Sequence, residues 1–190
     1  LILVNEVTTG VGRTGKWFGY QHYGIRPDIV AMGKGIGNGY PVSVTAASRP
    51  VAEKVVSSGF KYAQSHQNDP LGAAIALEVV RTIDEEGLVK RGKEMGVILL
   101  DGLQTIQTRT RLIRSIRARG LMLAVDLEDN DNSDTTRAVQ QELVRKGYIL
   151  ARRPGLNTLR IDPGLTIEKR DVENFLAVLE KLLVKFQNAR

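Results

Sequence analysis

The chain has 190 residues, of which 42% are hydrophobic and 25% charged, as expected for a globular protein with one domain or two small ones. It has no cysteine, which excludes disulfides and cysteine–zinc sites and favours a reducing compartment, so we expect a cytoplasmic protein without a membrane segment. The net charge is +6, but the densest basic run, at 109–120, contains no aromatic residue, so base stacking and hence nucleic-acid binding are not expected.

The first third of the chain alternates short apolar strands with glycine-rich segments. Residues 1–7 predict a strand covered on both faces, and because proteins seldom start in mid-core, we expect an N-terminal part to precede it. A loop with four glycines follows at 8–19, and further strands are predicted at 27–33 and 40–48. Together the strands predict a covered, parallel sheet, with exposed apolar patches where the preceding part should pack.

Two helices are predicted after these strands. The first spans 49–59, where Pro50 suits the first turn and Gly59 the end. The second spans 69–87, with Asp69 as its N-cap, Pro70 at the first helical position and Gly87 as its end.

The remainder predicts a smaller α+β unit. Its predicted elements are a helix at 88–107, two strands within 112–129 that turn at Gly120, a solvated loop at 129–134, a helix at 135–147, strands at 148–153 and 158–163, and a helix at 166–186. We therefore divide the chain into domains at 1–85 and 86–190.

Lys34 stands out because it follows an apolar strand directly and lies among Gly33, Gly35, Gly37 and Gly39. Partial burial of a lysine lowers its pKa, and a neutral amine can attack a carbonyl to form a Schiff base. The alternative is a solvated lysine in a mobile glycine loop, since most lysines are exposed.

Two motifs carry a family resemblance. Residues 5–16, NEVTTGVGRTGK, and residues 28–42, DIVAMGKGIGNGYPV, resemble in order and spacing the class III aminotransferases, whose patterns are D-E-V-Q-T-G-x-G-R-T-G and K-G-x-G-x-G-Y-P. Residues 65–74 and 158–176 are similar to two later segments of that family. The resemblance implies a pyridoxal-phosphate enzyme of the α/β, aspartate aminotransferase-like fold type I. The chain would supply the second half of the large-domain sheet and an α+β C-terminal small domain.

The resemblance also implies roles for individual residues. Lys34 matches the catalytic lysine that forms the Schiff base with pyridoxal 5′-phosphate, and Val7 matches the valine that packs on the cofactor ring. Ser65 aligns with a threonine that binds the cofactor phosphate from a partner subunit, which implies a homodimer. Arg160 matches the arginine that binds the substrate carboxylate, and a planar guanidinium suits a carboxylate bidentately.

Two cofactor-binding positions depart from the family pattern. Asn5 stands where the family has an aspartate that keeps the pyridine nitrogen protonated, so the cofactor should be a weaker electron sink. Thr8 replaces a glutamine that contacts the phenolic oxygen, and its shorter side chain would reach that oxygen through water.

The functional expectation is therefore transfer of an amino group between an amino acid or amine and a 2-oxo acid. One alternative is racemisation, epimerisation or decarboxylation on the same scaffold, and Asn5 gives this alternative more weight than usual. Another is an inactive fragment that lacks the family's first half. His22 and His66 are the only histidines, and they lie far apart in the sequence, so no metal site is expected.

Overall fold

The computed structural model describes residues 1–128, 134–152 and 155–188. These residues form two compact units, Leu1–Lys90 and Arg91–Arg190. The assignment of 1–85 and 86–190 to the two domains of the family stays a prediction. Of the predicted loop at 129–134, all but Asp134 lies outside the described residues, as does the last residue of the strand predicted at 148–153.

The first unit contains a three-stranded sheet in the order β1-β2-β3. Its strands are β1 (Leu3–Asn5), β2 (Ile29–Met32) and β3 (Val44–Ala47). β1 and β2 are parallel, but β2 and β3 are antiparallel, so the prediction of a parallel sheet is wrong for β3. The reason is the connection: a parallel return needs a crossover, usually a helix, whereas β2 and β3 are joined by a short segment with one 3₁₀ turn.

The predicted burial of β1 on both faces is wrong for this chain. The side chains of Leu1 and Leu3 are 95% and 64% exposed, and β1 lies at the edge of the sheet with β2 as its only strand partner among the described residues. Apolar residue types predict that a strand favours burial. They do not predict whether this chain contains the elements that would pack on both of its faces.

The two helices predicted in the first unit are confirmed as α1 (Arg49–Ser57) and α2 (Pro70–Glu85). The side chain of Asp69 accepts hydrogen bonds from the backbone N–H groups of Leu71 and Gly72 at 3.2 and 3.1 Å, and so caps the start of α2. Gly87 adopts a positive φ of 61° directly after the helix, as the sequence predicts.

The second unit is a four-stranded antiparallel sheet in the order β4-β5-β7-β6, packed with helices. Its strands are β4 (Ile113–Arg119), β5 (Met122–Leu127), β6 (Ala151–Arg152) and β7 (Thr158–Ile161). The helices that follow Gly87 are α3 (Leu88–Arg109), α4 (Thr135–Arg145) and α5 (Lys169–Asn188). Apart from the short β6, they agree within a few residues with the elements predicted from the sequence.

One face of this sheet forms the core, because strand side chains alternate between the two faces. In β7, Leu159 and Ile161 are buried in the core, which leaves Thr158 and Arg160 on the other face. α3 approaches the β4–β5 turn so closely that a Cβ at Gly96 would lie 2.4 Å from the carbonyl oxygen of Gly120. Because Leu159 and Ile161 pack in the core, Thr158 and Arg160 are the side chains of β7 that can make contacts outside it.

Candidate active site

The carboxyl ends of β1 and β2 lie side by side and bring together the residues singled out in the two sequence motifs. Asn5 pairs in register with Ala31, so the segments that leave the two strands begin at the same edge of the sheet. The Lys34 ammonium donates a hydrogen bond to the Thr8 hydroxyl oxygen across 2.9 Å. A Cβ at Gly33 would lie 3.4 Å from a methyl group of Val7, so this valine packs directly beside the lysine segment.

The backbone of Lys34 is unusual. Its φ is +49°, in the left-handed region that side chains other than glycine seldom adopt, at a cost of about 1 kcal/mol or more. It begins a 3₁₀ turn, Lys34–Gly37, that ends at Asn38, which also has a positive φ. Such strain in an ordered segment is typical of functional sites and argues against a loosely held glycine loop.

The Lys34 side chain is exposed in this chain, so the expected partial desolvation is not observed. It lines an open cavity of about 540 Å³ whose other lining residues lie between Gly35 and Val42. Two of the lining residues, Gly35 and Gly39, carry no side chain, and the exposed amine remains in contact with water. The amine is thus accessible to a ligand in the cavity.

Tyr40, which lines the same cavity, connects the lysine segment to α2. Its hydroxyl donates a hydrogen bond to Oδ2 of Asp69 at 3.0 Å, and Asp69 also caps α2. This bond lowers the pKa of Asp69 and raises the pKa of Tyr40, because the charged carboxylate is the better acceptor and the neutral phenol the donor.

The Asn5 side chain folds back on its own backbone. Its Oδ1 accepts a hydrogen bond from the backbone N–H of Val7 at 3.0 Å, and the residue is exposed. Because an N–H group needs an oxygen opposite it, the amide oxygen faces the backbone and the NH₂ group faces outward. Asn5 thus offers a hydrogen-bond donor at the end of β1.

Glu6 is a structural residue of the site that sequence reasoning missed. It is 3% exposed, and its carboxylate accepts hydrogen bonds from the Thr9 hydroxyl at 2.5 Å and from the backbone N–H groups of Gly19 and Tyr20 at 2.9 and 2.8 Å. These bonds fold the glycine loop against the end of β1. The one available signal was a glutamate between an apolar strand and a loop rich in backbone donors.

The two remaining predicted site residues lie elsewhere. Ser65 lies in an exposed turn at 65–68 before α2, and no hydrogen bond in the described part of the chain joins it to Lys34. Arg160 belongs to the second unit, where its Nη2 lies 2.6 Å from Oδ2 of Asp162. Arg160 and Asp162 both line a separate cavity of about 240 Å³ within that unit.

The residues that the structure describes include no cluster of three or more histidine, cysteine, aspartate or glutamate side chains arranged to hold a metal ion. Within the same residues, no helix combines the length and apolar character needed to cross a membrane. The site described above presents an amine, a hydroxyl, an amide and an apolar side chain.

Comparison with known proteins yields a consistent result. The family model described as aminotransferase class-III matches residues 1–183. The chain is 33% identical to a leucine/methionine racemase from Thermococcus litoralis, covering all of this chain and 43% of that protein. It is 31% identical to an acetylornithine aminotransferase from Caldanaerobacter subterraneus, covering 96% of this chain and 44% of the relative.

Solved structures agree with the sequence relatives. A transaminase from the marine bacterium Virgibacillus matches with a TM-score of 0.93 and 30% identity, covering 100% of this chain and 46% of that one. The chain therefore has the α/β fold of the matching part of these transaminases, and it spans less than half of the length of these relatives.

Proposed function

Because the chain belongs to the class-III aminotransferase family, we propose that its protein is a pyridoxal-phosphate-dependent aminotransferase. It would move an amino group between an amino acid or amine and a 2-oxo acid. In this proposal the first unit belongs to the large cofactor-binding domain and the second is the small domain. The protein would act as a homodimer in which Ser65 reaches the partner subunit's cofactor phosphate.

The residues at the ends of β1 and β2 fit such a cofactor chemically. Lys34 offers a primary amine beside an open cavity, as attachment of an aldehyde requires. Val7 supplies an apolar surface for an aromatic ring, Thr8 a hydroxyl for the phenolic oxygen, and Asn5 an amide donor for the ring nitrogen. Four kinds of group on the cofactor thus have a matching group on this chain.

When bound, pyridoxal phosphate supplies an electron-withdrawing ring that stabilises negative charge at the substrate Cα. Lys34 would hold the cofactor and, once its amine is free, move the proton of the substrate Cα. Thr8 accepts a hydrogen bond from the Lys34 ammonium and would keep this side chain directed toward the end of β1. Arg160 would orient the substrate through its carboxylate.

The observation that carries the proposal is the position of the Lys34 amine. It lies near the adjacent carboxyl ends of the parallel strands β1 and β2 and donates a hydrogen bond to Thr8. The test is to incubate the full-length protein with pyridoxal phosphate, reduce with borohydride and map the labelled peptide. The amine adds to the aldehyde carbon with loss of water, and hydride reduction then fixes the bond as a stable secondary amine.

We expect the label on Lys34 and its loss in Lys34→Arg. Lys16 is a matched control, because it is exposed in the same unit and donates to the backbone oxygen of Gln21. A label that stays in Lys34→Arg but disappears in Lys16→Arg would contradict the assignment.

Racemisation is a second candidate function, and two observations favour it. Asn5 replaces the charged residue of the family pattern, and one relative is a leucine/methionine racemase. Alanine in deuterated water separates the two functions. Amino transfer to a 2-oxo acid produces pyruvate in step with the acceptor consumed, whereas racemisation produces D-alanine with deuterium at Cα and no pyruvate.

A further inference from the structure

Val11 adopts a backbone conformation that its residue type disfavours. Its φ is +58°, in the left-handed region, where a β-branched residue is a clear outlier. Both neighbours of Val11 are glycines, Gly10 and Gly12, and a glycine at position 11 would adopt the same φ without strain. A strained residue persists only where its surroundings hold it, so the contacts of Val11 should explain its conformation.

The loop is fixed on both sides of Val11. The backbone N–H of Gly10 donates a hydrogen bond to the carbonyl oxygen of Glu6 at 2.9 Å, and the N–H of Gly12 donates to the carbonyl oxygen of Trp17 at 3.2 Å. The first bond connects the loop to the residue that follows β1, and the second closes the loop on itself. Val11 therefore cannot change its backbone conformation without disturbing the hydrogen bonds of its neighbours.

The Val11 side chain packs against the segment that carries Lys34. Val11 is only 6% exposed, and a Cβ at Gly35 would lie 3.8 Å from the Cβ of Val11, which is an ordinary van der Waals distance. On the other side of Lys34, Val7 packs beside Gly33. Lys34, which itself has a φ of +49°, thus lies between two glycines that each pack beside a valine.

From these contacts we propose that Val11 is a positioning residue for Lys34. The inference rests on the proposed function, in which Lys34 attaches the cofactor. The buried valine supports Gly35, and this support keeps the Lys34 backbone in the left-handed conformation from which its ammonium donates to Thr8. Without the support, the Lys34 backbone relaxes toward the conformations that a lysine favours, and its amine moves away from Thr8.

The test compares Val11→Ala with Val139→Ala in the full-length protein. Both substitutions remove the same two methyl groups from a buried valine, but Val139 lies in the core of the second unit. Val11→Gly is a second variant in case Val11→Ala fails to fold, because glycine accepts the positive φ without strain.

Two measurements follow the attachment of pyridoxal phosphate. The first is the rate at which Lys34 is labelled, obtained by trapping with borohydride at successive times. The second is the visible circular dichroism per attached cofactor before reduction. This signal arises because asymmetric surroundings hold a chromophore in one orientation, so it decreases when the attachment point becomes loose.

A third measurement needs no cofactor. It is the hydrogen exchange of the backbone amides of Ile36 and Asn38 in the cofactor-free protein. These N–H groups donate to the carbonyl oxygens of Gly33 and Gly35 at 3.4 and 3.2 Å, and they therefore report on the 3₁₀ turn that begins at Lys34.

We expect Val11→Ala to slow the labelling of Lys34 about fivefold, because only molecules in which Lys34 keeps its left-handed conformation react. The circular dichroism per attached cofactor should decrease and the two amides should exchange faster, whereas Val139→Ala should leave all three readouts within about twofold of the wild type. A general loss of stability would reduce the amount of folded protein without changing the signal per attached cofactor.

The proposal is overturned if Val11→Ala is labelled as fast as Val139→Ala, if it retains the wild-type circular dichroism per attached cofactor, or if its two amides exchange no faster. The cofactor-free measurement separates this inference from the proposed function. If the two amides exchange faster in Val11→Ala but the wild type acquires no label on Lys34, the function is rejected and the support of the Lys34 segment by Val11 stands. If the wild type and Val11→Ala are labelled on Lys34 at the same rate, the function stands and the role of Val11 is rejected.

Discussion

The side-chain amide of Asn5 has an acceptor end and a donor end, and the structure uses the acceptor end for the backbone of Val7. An aspartate at this position could accept the same backbone bond with one oxygen and present a negative oxygen with the other. The fold at the end of β1 therefore tolerates either residue. In the proposed function, the difference between them would be the charge offered to the ring nitrogen of the cofactor.

We predict that Asn5→Asp raises the turnover of amino transfer about tenfold, which corresponds to roughly 1.4 kcal/mol in the barrier. The reason is that a carboxylate favours a protonated ring nitrogen and so strengthens the electron sink. Steady-state turnover with alanine and a 2-oxo acid is the measurement. Asn38→Asp, which adds the same charge beside Lys34, is the control. An unchanged or lower turnover in Asn5→Asp would show that the ring nitrogen is controlled by another group.

Single residues differ in how far the sequence predicts them. Lys34 is identifiable because a lysine after an apolar strand and among glycines is chemically unusual, and its contact with Thr8 follows from two parallel strand ends. The role of Glu6 is not identifiable, because two of its partners are backbone N–H groups thirteen and fourteen residues later. Backbone donors have no signature in residue type.

At the scale of elements, the sequence predicts helices better than strand direction. Asp69, Gly87 and Gly120 mark the ends of elements through local chemistry, and the structure has those ends within a few residues. The direction of β3 depends instead on the path of the connection from β2, which periodicity does not encode. The antiparallel sheet of the second unit is further stabilised by Asp126, which links β4, β5 and β7 through its side-chain hydrogen bonds.

We predict that Asp126→Asn lowers the free energy of unfolding of the second unit by about 1 to 3 kcal/mol at pH 7. Hydrogen bonds from Arg117, Ser115 and Thr158 hold the pKa of Asp126 well below its ordinary value, although burial opposes this shift. The carboxylate therefore stabilises the fold above the unfolded-state pKa of about 3.9, and this stabilisation is lost as the pH falls through the lower folded-state pKa.

Urea unfolding of the wild type and Asp126→Asn between pH 7 and pH 2 tests this, with the exposed Asp101→Asn as control. The difference between the wild type and Asp126→Asn should be greatest near neutral pH and diminish below about pH 4. A difference that stays constant with pH would mean that the cost arises from packing and not from charge.

At the scale of the whole molecule, the two units differ in their cores. Every one of the largest fully buried side chains belongs to the second unit, among them Leu103, Leu143 and Leu183. The first unit has fewer buried apolar residues, such as Met32 and Ile36, and it exposes Leu1 and Leu3. Because burial of apolar surface is the main stabilising term in folding, the second unit should be the more stable.

Native-state hydrogen exchange of the 190-residue chain tests this prediction. We expect backbone amides in 91–188 to exchange more slowly than those in 1–90, and Leu103→Ala to accelerate exchange in the second unit, because such a truncation costs about 2 to 5 kcal/mol. Val97→Ala, at an exposed position of the same helix, is the control. Equal protection in both units, or slower exchange in the first, would contradict the ranking.

The bond between Tyr40 and Asp69 has a mechanical consequence for the site. One carboxylate both starts α2 and fastens the far end of the segment that follows Lys34. A displacement of that segment would therefore break the bond from Tyr40 to the N-cap of the sixteen-residue helix α2. Fraying of the first turn of α2 would break the same bond and release the segment. The segment that carries Lys34 is thus attached to β2 at one end and to the N-terminus of α2 at the other.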